Sequence, residues 1–326
     1  MPPADLAPPT LRDVLDARRL LATHLQPTPI RTYPALDRAT GTHVVVKHEN
    51  HQPTGAFKVR GALNLLLRLT PDERAHGVTA FSTGNHAQAV AHAARTTATP
   101  CTIVMPTHPN PTKADAVRDL GARLVLAGTT FDDAREHATA LAGEDGSRLV
   151  SAANEPLLVA GVATAYLELL ADAPDLDVLV VPVGGGSGAA AACLVAQAIA
   201  PGLEVVAVQS AASPAAHDSW RARDLVARPN TSRAEGLATG TGFALTQAVL
   251  REHLDDFVLV DDDTIDRAAA LYLTAARTVA EGAGAAALAA VLADPDRFAG
   301  RRVGVVCSGG NASPAELRRV SAHLPR

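Results

Sequence analysis

Lys58 is the residue of this sequence best placed for covalent chemistry, within H-E-N-H-Q-P-T-G-A-F-K-V-R-G at positions 48–61. The apolar run at 43–47 reads as a buried strand. Pro53 and Gly55 break it, and a helical pattern of Val59, Ala62, Leu63, Leu66 and Leu67 starts just beyond. Lys58 therefore falls in the first turn of a helix. A cation is unwelcome there because the helix N-terminus carries partial positive charge, but that effect is only about 0.3–1 kcal/mol. Burial is the stronger lever, since desolvation lowers a lysine pKa by as much as about 3–5 pH units. An amine treated this way is a nucleophile suited to a Schiff base with a carbonyl compound. An ordinary lysine instead lays its stem along the surface and keeps its charge in water.

A second centre is G-G-G-S-G, formed by Gly184, Gly185, Gly186, Ser187 and Gly188 between an apolar strand at 178–183 and a helix at 189–200. Glycines here let backbone N–H groups converge on an anion, and the helix N-terminus adds favourable potential, so a phosphate is the natural guest. Three other readings compete. Gly184, Gly186 and Ala189 fit a dinucleotide fingerprint, but the next strand ends in Gln209 rather than the acidic residue that would hold a ribose. A P-loop needs a lysine after the glycines, and none follows. A nucleophile elbow at Ser187 needs a glycine where Ala189 stands.

Two strand ends and one glycine-rich segment complete the set. S-T-G-N-H at 82–86 closes a strand and opens a helix, again an anion site. C-S-G-G-N at 307–311 follows the last apolar strand, and A-E-G-A-G-A occupies 280–285. With P-T-G-A-F-K-V-R-G-A, these motifs run in order over nearly the whole chain. Together they resemble the fold-type II pyridoxal-phosphate enzymes, in the branch of threonine and serine dehydratases and serine racemase.

That resemblance implies pyridoxal 5'-phosphate as cofactor, carried on Lys58 with Phe57 beside it. It assigns the cofactor phosphate to the glycine loop, where related enzymes usually have four glycines and Ser187 replaces the fourth. The Ser187 N–H and hydroxyl can still donate. Ser82, Thr83, Gly84, Asn85 and His86 would surround the substrate carboxylate, with Asn85 also bonding the ring hydroxyl. Ser308 would meet the pyridine nitrogen, and Glu281 and Gly236 would lie beside the cofactor. A neutral serine partner makes the ring a weaker electron sink than an aspartate does. Elimination of a β-substituent is then favoured over transamination.

The implied activity is that of a dehydratase, an ammonia-lyase for a small threonine- or serine-like β-hydroxy-α-amino acid. Lys58 removes the α-proton, and the products are a 2-oxo acid and ammonia. Thr83 departs from the pattern: dehydratases commonly have alanine there, and serine racemase has the serine that protonates the opposite face. An amino-acid racemase is therefore the alternative. His51, Thr83 and Ser187 also point to a specialised substrate, such as phenylserine, hydroxyaspartate or an ectoine-derived hydroxy amino acid. A catalytically silent amino-acid-binding relative is a third reading, and intact Lys58, Ser308 and glycine loop argue against it. The chain is expected to lack a C-terminal regulatory domain and, by resemblance, to form a homodimer.

No metal is expected. H-E-N-H is not a zinc motif, since Gln52 stands where the second histidine of H-E-x-x-H belongs. Serine racemase places divalent-ion carboxylates after the strand that follows the phosphate loop, and Q-S-A-A-S-P-A at 209–215 has none.

A chain of 326 residues, 47% hydrophobic and 19% charged, is ample for a large core. Aromatics at 3% and a net charge of −5 give nucleic-acid binding no support. No apolar run nears the ~20 residues of a membrane span. The N-terminus lacks a basic region followed by an apolar stretch, so no secretory signal is expected. Cys101, Cys193 and Cys307 lie far apart and read as free thiols in a reducing compartment, which predicts a cytoplasmic protein.

The elements that must position these residues alternate regularly. A proline-rich arm at 1–9 precedes a helix over 10–25 capped by Thr10, and the prolines of 26–36 predict an extended segment. Residues 70–77 read as a polar break. Strands at 78–82, 102–105, 122–126 and 148–151 alternate with helices at 87–95, 111–120 and 131–141. Larger units follow: helices at 157–170, 189–200, 265–279, 285–292 and 314–323, and strands at 178–183, 204–209, 257–260 and 302–306. Apolar strands without polar alternation, separated by helices, indicate parallel sheets covered on both faces. The predicted architecture is α/β, with two doubly wound open sheets. A small domain at 77–151 is inserted into a larger cofactor domain made of 1–76 and 152–326.

Overall fold

The structure is a computed structural model that describes residues 6–324, apart from the side chains of residues 131 and 132. Of the expected N-terminal arm, residues 1–5 lie outside the described residues, and Pro9 is buried. Helix α1 (Leu11–Leu21) opens on a reciprocal cap, in which the Asp13 N–H donates to the Thr10 hydroxyl and Thr10 N donates to Asp13 at 2.8 Å. It stops short of the predicted Leu25.

Strand β1 (Ile30–Thr32) leads into α2 (Pro34–Thr40), where an extended chain was predicted. Pro34 starts this helix at its first position, where no N–H is needed, so the proline favours the helix it was expected to block. After β2 (His43–His48) and α3 (Lys58–Leu66), the predicted polar break is in fact helix α4 (Pro71–His76), opened the same way behind a Thr70 cap.

Strands β3 (Val78–Phe81), β4 (Cys101–Met105), β5 (Arg123–Leu126) and β6 (Arg148–Val150) form one parallel sheet in the order β5-β4-β3-β6. Helices α5 (Asn85–Thr97), α6 (Pro111–Asp119) and α7 (Phe131–Asp145) connect them, and α8 (Pro156–Asp172) leads away. Then come β7 (Val178–Pro182), α9 (Ser187–Ile199), β8 (Glu204–Ser210), α10 (Ala215–Ala222), α11 (Ala244–His253) and β9 (Asp256–Val260). Helices α12 (Asp262–Leu271), α13 (Gly282–Ala293) and α14 (Pro295–Phe298), strand β10 (Arg302–Cys307) and α15 (Pro314–Ser321) complete the chain.

The second sheet has the order β1-β2-β10-β7-β8-β9, so its strands flank the first sheet's strands in the sequence. It is mixed rather than wholly parallel, because β1 runs antiparallel to β2 at the edge. The helix predicted over 265–279 also differs. Regular α12 ends at Leu271, a π-helical turn covers Tyr272–Ala276, and Arg277 at φ 53 reverses the chain. That reversal delivers Glu281 to the start of α13.

Both faces of the large sheet are covered, as the period of two demands. Leu179, Val181, Val205 and Ala207 join a core with α8 and α9, while Val178, Val180, Val206 and Val208 join one with α12 and α13. Leu21, Leu25 and the apolar face of α3 pack instead with Val78, Ala80, Ile103 and Met105 of the small sheet. Helix α3 is thus wedged between the two sheets.

A buried ionic cluster fixes that wedge. Arg60 donates to Glu49 at 2.7 and 2.9 Å, to both Glu168 oxygens at 2.7 Å and to Thr164 at 3.0 Å. Lys47 donates to Glu168 at 2.5 Å and to the Thr28 carbonyl at 3.1 Å, and Thr28 donates to Glu49 at 2.5 Å. Lys47 and Glu49 are wholly buried and Arg60 is 1% exposed, so each charge relies on the others. Replacing Arg60 with methionine leaves Lys47 as the one cation of the cluster for the carboxylates of both Glu49 and Glu168 and should cost about 3–5 kcal/mol in chemical denaturation. Arg19→Ala, at an exposed pair with Asp16, should change stability by less than about 1 kcal/mol.

Candidate active site

Helices α3, α5, α9 and α13 all begin at one cleft, at the C-terminal ends of parallel strands. Each brings backbone N–H groups with no intrahelical partner and a partial positive charge. The cleft is lined by Phe57 and Lys58, by Ser82, Thr83, Gly84, Asn85 and His86, and by Gly184, Gly185, Gly186, Ser187 and Gly188. Gly236, Glu281 and Ser308 line it as well. Every residue proposed to hold the cofactor or substrate is therefore brought to one place, whereas His51 does not line the cleft and meets the Thr278 hydroxyl at 3.1 Å instead.

Lys58 is the first residue of α3, behind a chain held by the Phe57 N–H donating to the Ser308 carbonyl at 3.1 Å. Its stem opens on the cleft, but its amine lies deep, 2.9 Å from the Ser187 hydroxyl, 3.3 Å from the Ala152 carbonyl and 5.0 Å from the Phe57 ring centre. Among the described residues no carboxylate pairs with it. Desolvation lowers its pKa to about 8, so a sizeable neutral fraction exists near physiological pH.

The glycine loop needs its glycines. A Cβ on Gly184 would stand 2.2 Å from the Gly236 carbonyl oxygen, and Gly186 has φ +89 at the N-cap of α9. Thr246 steadies the loop by donating to the Gly185 carbonyl at 2.7 Å. The cradle is thus open backbone at a helix N-terminus, next to a desolvated amine. Phosphate and aldehyde groups of one ligand need that donor set, and the residues present fit pyridoxal phosphate.

On the opposite wall, Gly84 N donates to the Ser82 hydroxyl at 3.2 Å. Thr83 faces the cleft, and its hydroxyl has no hydrogen-bond partner among the described residues. His86 is buried, and desolvation, then the nearby Lys58 charge, lower its pKa to about 3, so the ring is neutral. Its Nε2–H donates to the Val150 carbonyl at 3.2 Å, which leaves Nδ1 a bare acceptor without a partner. The imidazole offers a carboxylate no donor. At this loop the donors are the backbone N–H groups opening α5 and the Ser82 and Thr83 hydroxyls.

Asn85 donates to Glu281 by a short hydrogen bond and accepts from Asn311 at 2.8 Å. Glu281 stands at the N-cap position of α13 but makes no cap bond; Glu316 accepts from the Gly282 N–H at 2.5 Å instead. Burial raises the Glu281 pKa, opposed by the Lys113 charge and the Asn85 amide. The Ser308 hydroxyl donates to the Ala283 carbonyl at 3.1 Å.

The sequence reading missed Lys113 and Glu235, which also line the cleft. Lys113 is 5% exposed, 2.5 Å from Glu235 and 4.0 Å from Glu281, and a Cβ on Gly84 would lie 3.4 Å from its amine. A signal was available. Lys113 follows Pro111 in the first turn of α6, the same electrostatically unfavourable place that marks Lys58.

Residues 21–309 match the family described as Pyridoxal-phosphate dependent enzyme. The chain is 37% identical to the L-threonine ammonia-lyase of Thermotoga maritima over 95% of this chain and 78% of that protein. It is 34% identical to the L-threo-3-hydroxyaspartate ammonia-lyase of Saccharomyces cerevisiae, over 93% of each. The solved structure of maize serine racemase superposes with a TM-score of 0.91 at 28% identity, covering 97% of both chains. The chain belongs to the pyridoxal-phosphate-dependent enzymes of fold type II.

Proposed function

We propose that this enzyme is a dehydratase/deaminase of a small β-hydroxy-α-amino acid of the threonine or serine kind. It releases a 2-oxo acid and ammonia by β-elimination. The observation that carries this reading is the desolvated Lys58 amine, poised between the glycine cradle and the S-T-G-N-H loop. Bound pyridoxal phosphate would supply the electron sink for negative charge at the substrate α-carbon. The N–H groups at the start of α9 and the glycine loop would hold its phosphate. Asn85, Glu281, Gly236 and Phe57 would flank the ring, and the Ser308 hydroxyl would turn to its nitrogen.

The N–H groups opening α5, with Ser82 and Thr83, would hold the substrate carboxylate, helped by the Lys113 charge beside Gly84. Lys58 Nζ would take the α-proton, the departing β-hydroxyl would gain a proton and leave as water, and the resulting enamine would tautomerise to an imine whose hydrolysis by one water gives the 2-oxo acid and ammonia. The division at residues 77 and 151 into cofactor and substrate-carboxylate domains belongs to this reading. So do a homodimeric state and a cytoplasmic setting, which suits three free cysteines.

One observation favours a second reading. The unpartnered Thr83 hydroxyl could protonate the α-carbon from another side, which would make the enzyme an amino-acid racemase. Relatives named for hydroxyaspartate lyases also support a β-carboxylated substrate held near Lys113.

The deciding assay is 2-oxo acid release by cofactor-loaded enzyme given L-threonine, L-serine or L-threo-3-hydroxyaspartate, and rapid release with at least one is expected. Deuterium uptake at Cα with inversion and no oxo acid would select the racemase. Lys58→Ala should lower turnover more than about 100-fold and abolish the visible absorbance of bound cofactor. In the apo-protein, cofactor capture needs the neutral amine, so its rate should rise with pH through about 8 and then level. A rate that falls across that range in stopped-flow absorbance would refute the assignment.

A further inference from the structure

Ser187 is the one residue of the loop at 184–188 that carries a hydroxyl, and that hydroxyl is the nearest polar contact of the Lys58 amine, at 2.9 Å. The residue is 1% exposed and opens α9 inside the glycine cradle. A hydroxyl has one proton and two lone pairs. Lys58 occupies one lone pair, and among the described residues the hydroxyl makes no other hydrogen bond, which leaves its proton without an acceptor. Buried hydroxyl protons are normally satisfied, and the acceptor this cradle suits is an anion on the α9 N-terminus.

We propose that Ser187 is a positioning residue that joins the free Lys58 amine to the anion in the glycine loop, donating to the anion and accepting from the amine. This rests on the reading of the loop as a phosphate cradle. With its proton turned to the anion, the hydroxyl has only lone pairs to offer, so Lys58 must be the donor. An occupied cradle then favours the ammonium form and aims its N–H at Oγ. With glycine at this position the amine would keep only the Ala152 carbonyl, at 3.3 Å. The anion's charge acts on Lys58 through space in either case, and the hydroxyl adds to it.

The test uses apo-protein and inorganic phosphate. Trace labelling of Lys58 by acetic anhydride, read by mass spectrometry across pH, follows the neutral amine, and calorimetry follows phosphate binding. Near pH 8, saturating phosphate should slow Lys58 labelling at least threefold more in the native protein than in Ser187→Ala. Ser187→Gly should behave like Ser187→Ala and keeps the comparison valid should the alanine variant misfold. Ser187→Thr, which retains a hydroxyl, should restore the native response. Equal slowing in the native, alanine and glycine proteins would overturn the proposal and leave the cradle intact. No calorimetric binding and no effect on native Lys58 would overturn the cradle reading and the proposal with it.

Discussion

The cleft depends on where α3 lies, and α3 is held by charges in the interior. Arg60 forks onto Glu49 and Glu168, and Lys47 closes the cluster from β2, giving two cations and two anions almost out of reach of water. Such a group is not cheap stability, since desolvation can cancel the Coulombic gain. Its effect is geometric. A planar guanidinium accepts few arrangements of carboxylates, so β2, α3 and α8 can meet in only one way. Lys58 lies two residues before Arg60, about 200° around the helix, so the anchored side chain faces the core and the amine faces the cleft.

The cleft itself is an electrostatic consequence of topology. Parallel strands end together, and the helices that follow point their N-termini at the same space, each equivalent to roughly half a positive charge. A ligand with a phosphate at one end and a carboxylate at the other fits that field. Lysines do not, unless they are stripped of charge or paired. Lys58 takes the first course, with a pKa lowered by burial and no carboxylate beside it among the described residues. Lys113 takes the second, its pKa raised by Glu281 and Glu235 against desolvation. Two lysines at two helix starts thus acquire different chemistry from their neighbours.

The same pairings join the two sheets. Lys113 on α6 and Asn85 on α5 belong to the small sheet's helices, while Glu235 and Glu281 belong to the large sheet's side. Asn311 reaches Asn85 from beyond β10 and Thr54 from the loop before Lys58. Any separation of the two sheets at the cleft would have to break this chain of hydrogen bonds and ion pairs.

Local rules were enough to place Lys58 at a helix start, the glycine loop at a strand-to-helix turn and the apolar strands in doubly covered sheets. Each rests on neighbours in the chain: a broken apolar run, a glycine needed for φ +89, a period of two. Motif order then identified the family. Three things stayed outside local reach. Pro34 and Pro71 start helices rather than block them, because the missing N–H costs nothing at the first position. The π-helical turn after Leu271 precedes a segment that sets Glu281 beside Asn85, a contact 196 residues distant in sequence that no local pattern announces. The protonation of His86, Lys58 and Glu281 depends on which atoms surround them, and desolvation by residues far along the chain outweighs any sequence neighbour. The sequence by itself determined which groups could react; only tertiary packing decided which are charged, which are paired and which stand free to act.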